Sequence, residues 1–455
     1  MKNHLTSAEI LKLATTHQDH GHLHICSFCK EQYDDAIDIE ETNSSGRKLA
    51  SVQEILDLKP IKNADRIEVA TILGWRVVVR KGEFQVGDKC IFFEIDSILP
   101  QLPEFEFLAE HQYRLKSAQL RGQISQGLAM PLDVINKFPN LRVVPKYVND
   151  SQDKDRLVPS GNFYICTDDF GHNQSIFKHT QLDFESAGYC VEMEIGTDLT
   201  KVLGIEKYVE ETKELEKGIL GKPFPSEHVH HTDLERIQSK PELFEEIRGL
   251  DAYALQKIDG YSFTAILKIT SDRTADLLIC SSDQELERMD GFTTSNEYLD
   301  IASKLNIRSK MDFLAANMAM KFYEEGNNEC LLSLSIQCEL AGPGIRKNRM
   351  GLQEKQLFLF NGAYITDNMH YMDYAGLSWA SQILDIPMPQ LVWDGVFDFK
   401  SPDELMDLAD ANRYPSGFRQ EGIVIKPKKE TYSETLCGRL QFKVINNNYL
   451  LDIGE

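Results

Sequence analysis

The sequence predicts an α+β protein of two domains, a small antiparallel β-barrel followed by a larger mixed domain. Three observations predict it. The chain has 455 residues, more than one hydrophobic core comfortably holds. Between residues 49 and 132, short β-rich runs alternate with glycine-containing turns. Residues 226–455 are long enough for one mixed domain and contain several strands of alternating polarity.

Composition excludes several classes of protein. Apolar residues make up 42% and charged residues 26%, as in ordinary globular proteins. No run of about 18 apolar residues predicts a membrane span, and the first residues lack the apolar core of a secretory signal. Nine cysteines, an odd number, indicate a reducing compartment, so we expect a cytoplasmic protein. A net charge of -22 excludes a uniformly basic nucleic-acid coat, so any nucleic-acid partner needs a local basic patch.

Residues 1–47 form an extension before the first core. It contains a CxxC and alternating histidines, and zinc prefers four such ligands. No second cysteine pair follows at a suitable distance, so a zinc site and a polar, loosely ordered arm both remain open. The candidate ligands are His17, His20, His22, His24, Cys26 and Cys29.

The barrel is predicted from residues 49–132. Its strands are five to seven residues long and break at Gly74, Gly82 and Gly87, and further strands surround Gly122 and Gly127. This spacing predicts an OB-like barrel, a fold that commonly binds oligonucleotides. Fold alone does not establish that role.

The predicted first domain covers residues 48–200. Residues 140–190 are turn-rich and partly acidic, which indicates an insertion or an elaborated edge. The segment around 195–210 has helical spacing that places Leu199, Val202, Leu203 and Ile205 on one side. Residues 201–225 are predicted to be an exposed linker, and residues 226–455 the second domain.

The most informative short motif is KIDG at 257–260, which leads directly into an apolar strand. A buried lysine beside another cation has a lowered pKa and can act as a nucleophile. Alone the motif is weak, because Asp-Gly is also typical of a surface hairpin.

Other polar residues follow in a regular order. Glu339 ends one predicted strand, Phe358 and Phe360 lie on the next, Glu421 begins a strand that leads to Lys426, and Lys443 lies on the last. An amine that attacks the α-phosphate of a nucleotide needs a metal, carboxylates that hold its waters, and cations that align the phosphates. An aromatic ring would stack on the base.

This order of motifs resembles the covalent nucleotidyltransferases, which comprise ATP-dependent DNA and RNA ligases and mRNA capping enzymes. It is most similar to the Deinococcus-type nick-sealing RNA ligases. The motifs are KxDG, ELxGPG, a Phe-bearing strand, EGxVIK and FKV, and the resemblance covers roughly residues 48–135 and 193–455. It implies an N-terminal OB-like β-barrel followed by a ligase-type nucleotidyltransferase domain built on antiparallel sheets.

The resemblance also implies roles for single residues. Lys257 would be the adenylated nucleophile and Phe360 would pack against adenine. The other nucleotide contacts would be Arg236, Gln256, Lys426 and Lys443, and the carboxylates that contact the waters of Mg²⁺ or Mn²⁺ would be Asp259, Glu339 and Glu421. A solvated surface position is the usual alternative for each, but their joint order favours the site. Arg346, Lys347, Arg349, Lys426, Lys428 and Lys429 are expected to gather beside it.

Two positions depart from the family pattern. Ser282 stands where relatives have an arginine that reaches the ribose or the RNA end, and a serine cannot replace that planar cation. Gln441 stands where many relatives have the first lysine of Lys-x-Lys. These changes could slow sealing or alter substrate preference, or Arg288 could compensate.

The sequence therefore predicts an ATP-dependent RNA ligase that seals 3′-hydroxyl/5′-phosphate nicks through a lysyl-AMP. Its expected partner is a nicked duplex with RNA on the 3′-hydroxyl side, including an RNA/DNA hybrid. A second hypothesis is an RNA-end-binding protein with impaired catalysis. A capping guanylyltransferase or a DNA ligase is a weaker alternative. Both usually carry an OB domain after the last lysine motif, whereas the barrel predicted here precedes the first one.

Overall fold

The computed structural model describes residues 47–138, 141–149, 157–166, 190–191, 193–208, 218–269, 275–326 and 329–453. It has the predicted α+β architecture, with a barrel domain before a domain of antiparallel sheets. The histidines and cysteines of the zinc hypothesis lie outside the described residues.

The barrel is built from short antiparallel strands. They pair in the orders β1-β5-β9, β2-β3-β4 and β7-β8. The strand breaks predicted at Gly74, Gly82 and Gly87 are confirmed, and so are the further strands predicted around Gly122 and Gly127. The strands are β1 (Ala50–Glu54), β2 (Asp57–Pro60), β3 (Ile67–Ile72), β4 (Trp75–Arg80), β5 (Lys89–Phe93), β6 (Ser97–Ile98), β7 (Ala118–Leu120), β8 (Gln123–Ser125) and β9 (Leu128–Pro131), with 3-10 helices at Pro103–His111 and Leu132–Lys137.

Part of the predicted insertion is a regular hairpin. Strands β10 (Leu141–Asn149) and β11 (Leu157–Cys166) pair antiparallel, and β12 (Cys190–Val191) extends this sheet. The expectation of a turn-rich segment is therefore wrong for these residues. Their β-branched and aromatic residues form strands despite a proline in each, and the ladder has an irregularity after Lys146.

The helix predicted around residue 200 is also wrong. Residues 193–205 form turns and an isolated bridge. All four apolar residues assigned to its buried side are nevertheless buried in the barrel core: Leu199, Val202, Leu203 and Ile205. The spacing of the apolar residues predicted their burial correctly but predicted the wrong backbone conformation, because two consecutive turns also bring such residues to one side.

The predicted linker is structured at both ends. Strand β13 (Glu206–Lys207) pairs with β6 of the barrel, and β14 (Ile219–Pro223) is the edge strand of the large sheet of the second domain. The prediction of an exposed linker is therefore wrong for these described residues.

The second domain contains two antiparallel sheets. The larger has the order β14-β18-β17-β16-β19-β20-β21, and the smaller β22-β15-β23-β26. Its elements are α1 (Leu243–Glu246), β15 (Asp251–Lys257), β16 (Tyr261–Ile269), β17 (Ala275–Cys280), β18 (Gln284–Arg288), α2 (Glu297–Lys304), α3 (Ile307–Glu324), β19 (Ser333–Ala341), β20 (Gln356–Ile365), β21 (Met369–Tyr371), α4 (Tyr374–Leu384), β22 (Leu391–Val396), α5 (Pro402–Ala411), β23 (Gly422–Pro427), β24 (Tyr432–Ser433), β25 (Gly438–Arg439), β26 (Phe442–Ile445) and α6 (Asn447–Ile453).

Each large sheet buries one face under helices. Helices α2, α3 and α4 cover one face of the seven-stranded sheet, and α1 and α5 cover one face of the four-stranded sheet. Because side chains alternate along a strand, the polar residues between these buried ones point to the opposite faces. Glu339 therefore lies on the free face of the larger sheet, and Lys257, Lys426 and Lys443 on that of the smaller.

The two domains share a hydrophobic core. Ile445, Tyr449 and Leu450, at the end of β26 and in α6, are buried against barrel residues such as Trp75 and Phe92. Helix α6 thus completes the barrel core, which fixes the barrel beside the four-stranded sheet.

Candidate active site

Lys257 is the last residue of β15 and points towards a carboxylate. Its Nζ lies 2.8 Å from Oε1 of Glu421, and about a quarter of its side chain is exposed. Burial disfavours the ammonium, but the negative charges of Glu421 and Glu339 outweigh burial and raise the pKa of Lys257. The expectation of a pKa lowered by a neighbouring cation is therefore wrong for this state of the protein.

Two glycines explain the sequence motifs around Lys257. A Cβ at Gly260 would lie 2.4 Å from the carbonyl oxygen of Leu340, and one at Gly422 would lie 2.1 Å from that of Val444. Gly422 also has φ 154, in the region that favours glycine. The glycines of KIDG and EGIVIK therefore let neighbouring strands approach closely enough to bring the polar side chains together.

Tyr414 joins the two strands that carry Lys257 and Glu421. Its hydroxyl donates to the carbonyl oxygen of Lys257 at 3.1 Å and accepts from the backbone N–H of Glu421 at 3.4 Å. The side chain is 2% exposed. The sequence analysis did not identify Tyr414, because a tyrosine in a loop carries no motif of its own.

Glu339 is the carboxylate least compensated by cations. It faces Ser262 across the β16-β19 pair. Burial is the main cause that raises the pKa of Glu339 to about 7; the charge of Lys257 opposes the rise, and those of Glu421 and Asp259 add to it.

These carboxylates fit a divalent cation. Oxygen donors suit Mg²⁺ and Mn²⁺, and a buried carboxylate whose charge is undercompensated gains from a cation nearby. Among the described residues no three His, Cys, Asp or Glu side chains are grouped closely enough to hold a metal ion. Asp259, Glu339 and Glu421 are the oxygen donors that this site offers to such an ion.

Asp259 is held by an arginine. Nη1 of Arg349 donates to Oδ2 of Asp259 at 2.7 Å and also to the hydroxyl of Tyr449 at 2.9 Å. Asp259 is 8% exposed, and the Arg349 side chain 13%. Arg349, which was expected among the cations beside the site, lies there and binds one of its carboxylates.

Lys426 of the smaller sheet contacts Phe360 of the larger sheet, and the space between the free faces of the two sheets beside Lys257, Lys426 and Phe360 is called the cleft below. Nζ of Lys426 donates to the carbonyl oxygen of Phe360 at 2.9 Å and lies 5.9 Å from the centre of its ring. Burial, assisted by the charge of Arg439, lowers the pKa of Lys426 to about 7. Asn361, next to Phe360, accepts from Arg439 at 3.0 Å and donates to Gln337 at 2.6 Å. A polar network therefore fixes the strand that carries Phe360.

Gln256 is buried between the strands. It is 5% exposed, pairs with Ile423 of β23, and its backbone N–H donates to the carbonyl oxygen of Gln390 at 2.8 Å. Because side chains alternate along β15, Gln256 points to the helix-covered face with Ala254, so the structure does not bring its side chain together with that of Lys257.

Lys443 is paired with an aspartate that the sequence analysis missed. Its Nζ lies 3.0 Å from Asp233, which also lies 3.0 Å from Lys207. Burial is the main cause that lowers the pKa of Lys443 to about 8; Asp233 opposes this, and the charges of Arg236 and Lys257 add to it. The signal was present, since Asp233 stands three residues before Arg236 in the TDLERIQ stretch.

Arg236 lies between the domains. Residues 235–237 run beside β26, where Arg236 and Lys443 form a parallel bridge. Nη2 of Arg236 donates to Asp96 of the barrel at 3.2 Å. Within the described part of the chain, no group bonds to its buried Nε and Nη1. Arg236 therefore has unused donors at the edge of the cleft.

Other expected cations lie elsewhere. Lys428 pairs with Asp251 and Asp394, and Lys429 with Asp373, at the end of β23 remote from Glu421. Their expected place beside the site is wrong, because the six residues of β23 separate Glu421 from Lys428.

Arg288 does not lie beside Ser282 as a replacement cation. Its Nη2 donates to Asp300 at 2.7 Å, and its strand pairs with β14 at the sheet edge. Ser282 is instead contacted by a histidine: Nδ1 of His231 lies 2.8 Å from the carbonyl oxygen of Ser282.

Comparison with known proteins gives the family of the second domain. Residues 251–445 match the family model described as RNA ligase, and residues 49–132 match one described as an OB-fold domain. The predicted OB-like barrel, the ligase-type fold and an enzyme of the RNA ligase class are thereby confirmed. A comparison with curated proteins gave no match.

Solved structures of a Naegleria gruberi RNA ligase have the same fold as this chain. A glutamate-to-alanine variant with ATP and Mn has a TM-score of 0.64 and 24% identity, and the match covers 90% of this chain and 100% of that chain. The structure with PPi has a TM-score of 0.62 and 24% identity, with 90% and 99% covered. An aspartate-to-alanine variant without ligand has a TM-score of 0.63 and 25% identity, with 89% and 98% covered.

Among the described residues, no helix is long and apolar enough to span a membrane.

Proposed function

We propose that the protein is an ATP-dependent RNA ligase that works through a lysyl-AMP on Lys257. The observation that carries the proposal is the position of Lys257, partly exposed and 2.8 Å from Glu421, in a cleft whose smaller sheet also presents Lys426 and Lys443. A nucleophilic amine, a proton acceptor and phosphate-binding cations are thereby close together.

In the first step, Nζ of Lys257 attacks the α-phosphate of ATP and pyrophosphate leaves as the Pα–O bond breaks. Nζ must first lose a proton, and the nearest acceptor is Glu421. Asp259, Glu339 and Glu421 would hold the waters of Mg²⁺ or Mn²⁺. When bound, the cation would neutralise these carboxylates and the phosphate, and so lower the pKa of Lys257.

The remaining nucleotide contacts follow from the cleft. Phe360 would stack on adenine, and Gln256 would contact the nucleotide through its backbone. Lys426, Lys443 and the unused donors of Arg236 would bind phosphate oxygens, for which Lys443 must exchange Asp233 for phosphate.

The nucleic-acid steps complete the proposal. AMP passes to a 5′-phosphate, and a 3′-hydroxyl attacks that activated end and releases AMP. The substrate would be a nicked duplex with RNA on the 3′-hydroxyl side, including an RNA/DNA hybrid, and the barrel would contact its backbone. The number of phosphates that Lys and Arg neutralise sets how steeply binding falls with salt, so the salt dependence of RNA binding measures how many phosphates the protein contacts.

A labelling experiment tests the first step. The protein is incubated with [α-³²P]ATP or GTP and Mg²⁺, and label that survives denaturation is measured. We expect an ATP-derived adduct that is absent in Lys257→Met and retained in Lys268→Met, a control on the exposed part of the next strand. An adduct retained in Lys257→Met contradicts the proposal, and an adduct only with GTP favours a capping enzyme.

A second assay tests the substrate. Nicked duplexes differ only in a ribose or deoxyribose at the 3′-hydroxyl terminus, and sealing is followed from a 5′-labelled end. We expect sealing only with ribose. RNA binding without any adduct would favour the alternative of an RNA-end-binding protein, which Ser282 in place of an arginine motivates.

A further inference from the structure

We infer that Arg349 is a positioning residue for Asp259, and that Tyr449 of α6 sets Arg349 in place. The inference rests on the proposed adenylation and deepens it, since it assigns the barrel a part in the first step. Arg349 itself would touch neither nucleotide nor metal.

The contacts form one chain from the barrel core to the catalytic lysine. Tyr449 is 4% exposed and packs among barrel residues. Its hydroxyl accepts from Nη1 of Arg349 at 2.9 Å, and the same nitrogen donates to Oδ2 of Asp259 at 2.7 Å. Asp259 is two residues from Lys257. The orientation of this carboxylate therefore depends on a tyrosine that the barrel holds.

The positive charge of Arg349 offsets repulsion among the carboxylates of the site. Asp259 shares the site with Glu339 and Glu421, and three neighbouring carboxylates repel one another. A cation bound to one oxygen of Asp259 keeps that carboxylate in place and leaves Oδ1 for other contacts. Without it, Asp259 would turn towards Lys257 or towards solvent.

The shape of arginine matters as well as its charge. The guanidinium lies 5.4 Å from the centre of the Tyr449 ring, and the carbonyl oxygen of Arg349 accepts from the hydroxyl of Ser416. The residue is thus fixed at its backbone and at its tip. A lysine has a single nitrogen on a flexible stem and would not hold both acceptors in this geometry.

The test is a double-mutant cycle on the single-turnover rate of adduct formation. If Arg349 acts through Asp259, its loss matters only while Asp259 is present. We expect Arg349→Met to slow the reaction at least about tenfold, and to slow the Asp259→Asn protein less than about threefold further. Equal effects in both backgrounds, or no effect, would overturn the inference.

A second readout follows metal binding without turnover. In a Lys257→Met background with ATP present, free Mn²⁺ is measured by electron paramagnetic resonance. We expect weaker Mn²⁺ binding after Arg349→Met and a smaller weakening after Tyr449→Phe, which keeps the ring. Unchanged Mn²⁺ affinity in both would count against the positioning role.

The controls separate positioning from folding. Arg419 also binds α6, through Asp452 at 3.3 Å, but does not contact a site carboxylate. Arg419→Met should therefore keep the wild-type rate. If Arg349→Met does not fold, Arg349→Lys is used in its place. It too should slow the wild-type protein more than it slows the Asp259→Asn protein. A wild-type protein that forms no adduct contradicts the proposed function, whereas adduct formation unaffected by Arg349→Met contradicts only the inference.

Discussion

Replacing Lys426 by methionine should make the protein more stable near neutral pH while it abolishes adenylation. Lys426 is 5% exposed, and burial lowers its pKa from 10.5 to about 7. The unfolded chain therefore binds more protons than the folded one between these values, so the contribution of Lys426 to stability rises with pH across this window. Below about pH 7, the full free-energy cost of burying the charged Lys426 is present.

The magnitude follows from the pKa difference and one hydrogen bond. At about 1.4 kcal/mol per pH unit, the buried ammonium costs up to roughly 5 kcal/mol. Methionine removes this cost but leaves the carbonyl oxygen of Phe360 without its donor, a loss of about 1 to 3 kcal/mol. We expect Lys426→Met to be about 3 kcal/mol more stable than wild type at pH 6, and no more stable at pH 10.5.

The assay is urea unfolding of both proteins at several pH values, because their difference cancels the titration of all other groups. Lys428→Met is the matched control. Lys428 is partly exposed and paired with Asp394 and Asp251, which raise its pKa, so this variant should gain nothing at pH 6. A stability difference between Lys426→Met and wild type that is constant with pH would refute the reasoning.

Three further outcomes are expected. Gly422→Ala should lower the free energy of unfolding, measured with urea, by more than about 2 kcal/mol, because the new Cβ would clash with the Val444 carbonyl. Gly417→Ala is the control: its Cβ meets nothing within 4 Å, so only the strained backbone costs stability, by about 1 kcal/mol. Equal losses in the two variants would contradict this. The Mg²⁺ concentration for half-maximal adenylation should rise about tenfold per pH unit below pH 7 as Glu339 binds a proton, and Glu339→Gln should lack this rise. Phe360→Leu should raise KM for ATP about tenfold with less change in kcat, whereas Phe360→Tyr should not; unchanged KM in both would remove the stacking role.

The sequence predicted most of the strands that carry the site. The glycines of KIDG and EGIVIK mark close approaches of strands, and polar residues alternate with buried ones, so Lys257, Glu421 and Lys426 could be placed on strands from the sequence. These features depend on local patterns, which a single sequence displays.

What the sequence could not show depends on contacts between distant segments. Asp96 and Tyr449 lie beside Arg236 and Arg349 only because α6 packs into the barrel. The raised pKa of Lys257 likewise depends on Glu421, which is 164 residues later in the chain. No local spacing encodes such neighbours.

The burial of α6 in the barrel has a consequence for synthesis of the chain. The barrel strands emerge first from the ribosome, but Tyr449 and Leu450, which complete their core, follow more than 300 residues later. Domains generally fold as units during synthesis, starting from the N-terminal one. This barrel must instead remain incompletely packed until the ligase domain has been made, so the two domains reach their final state together.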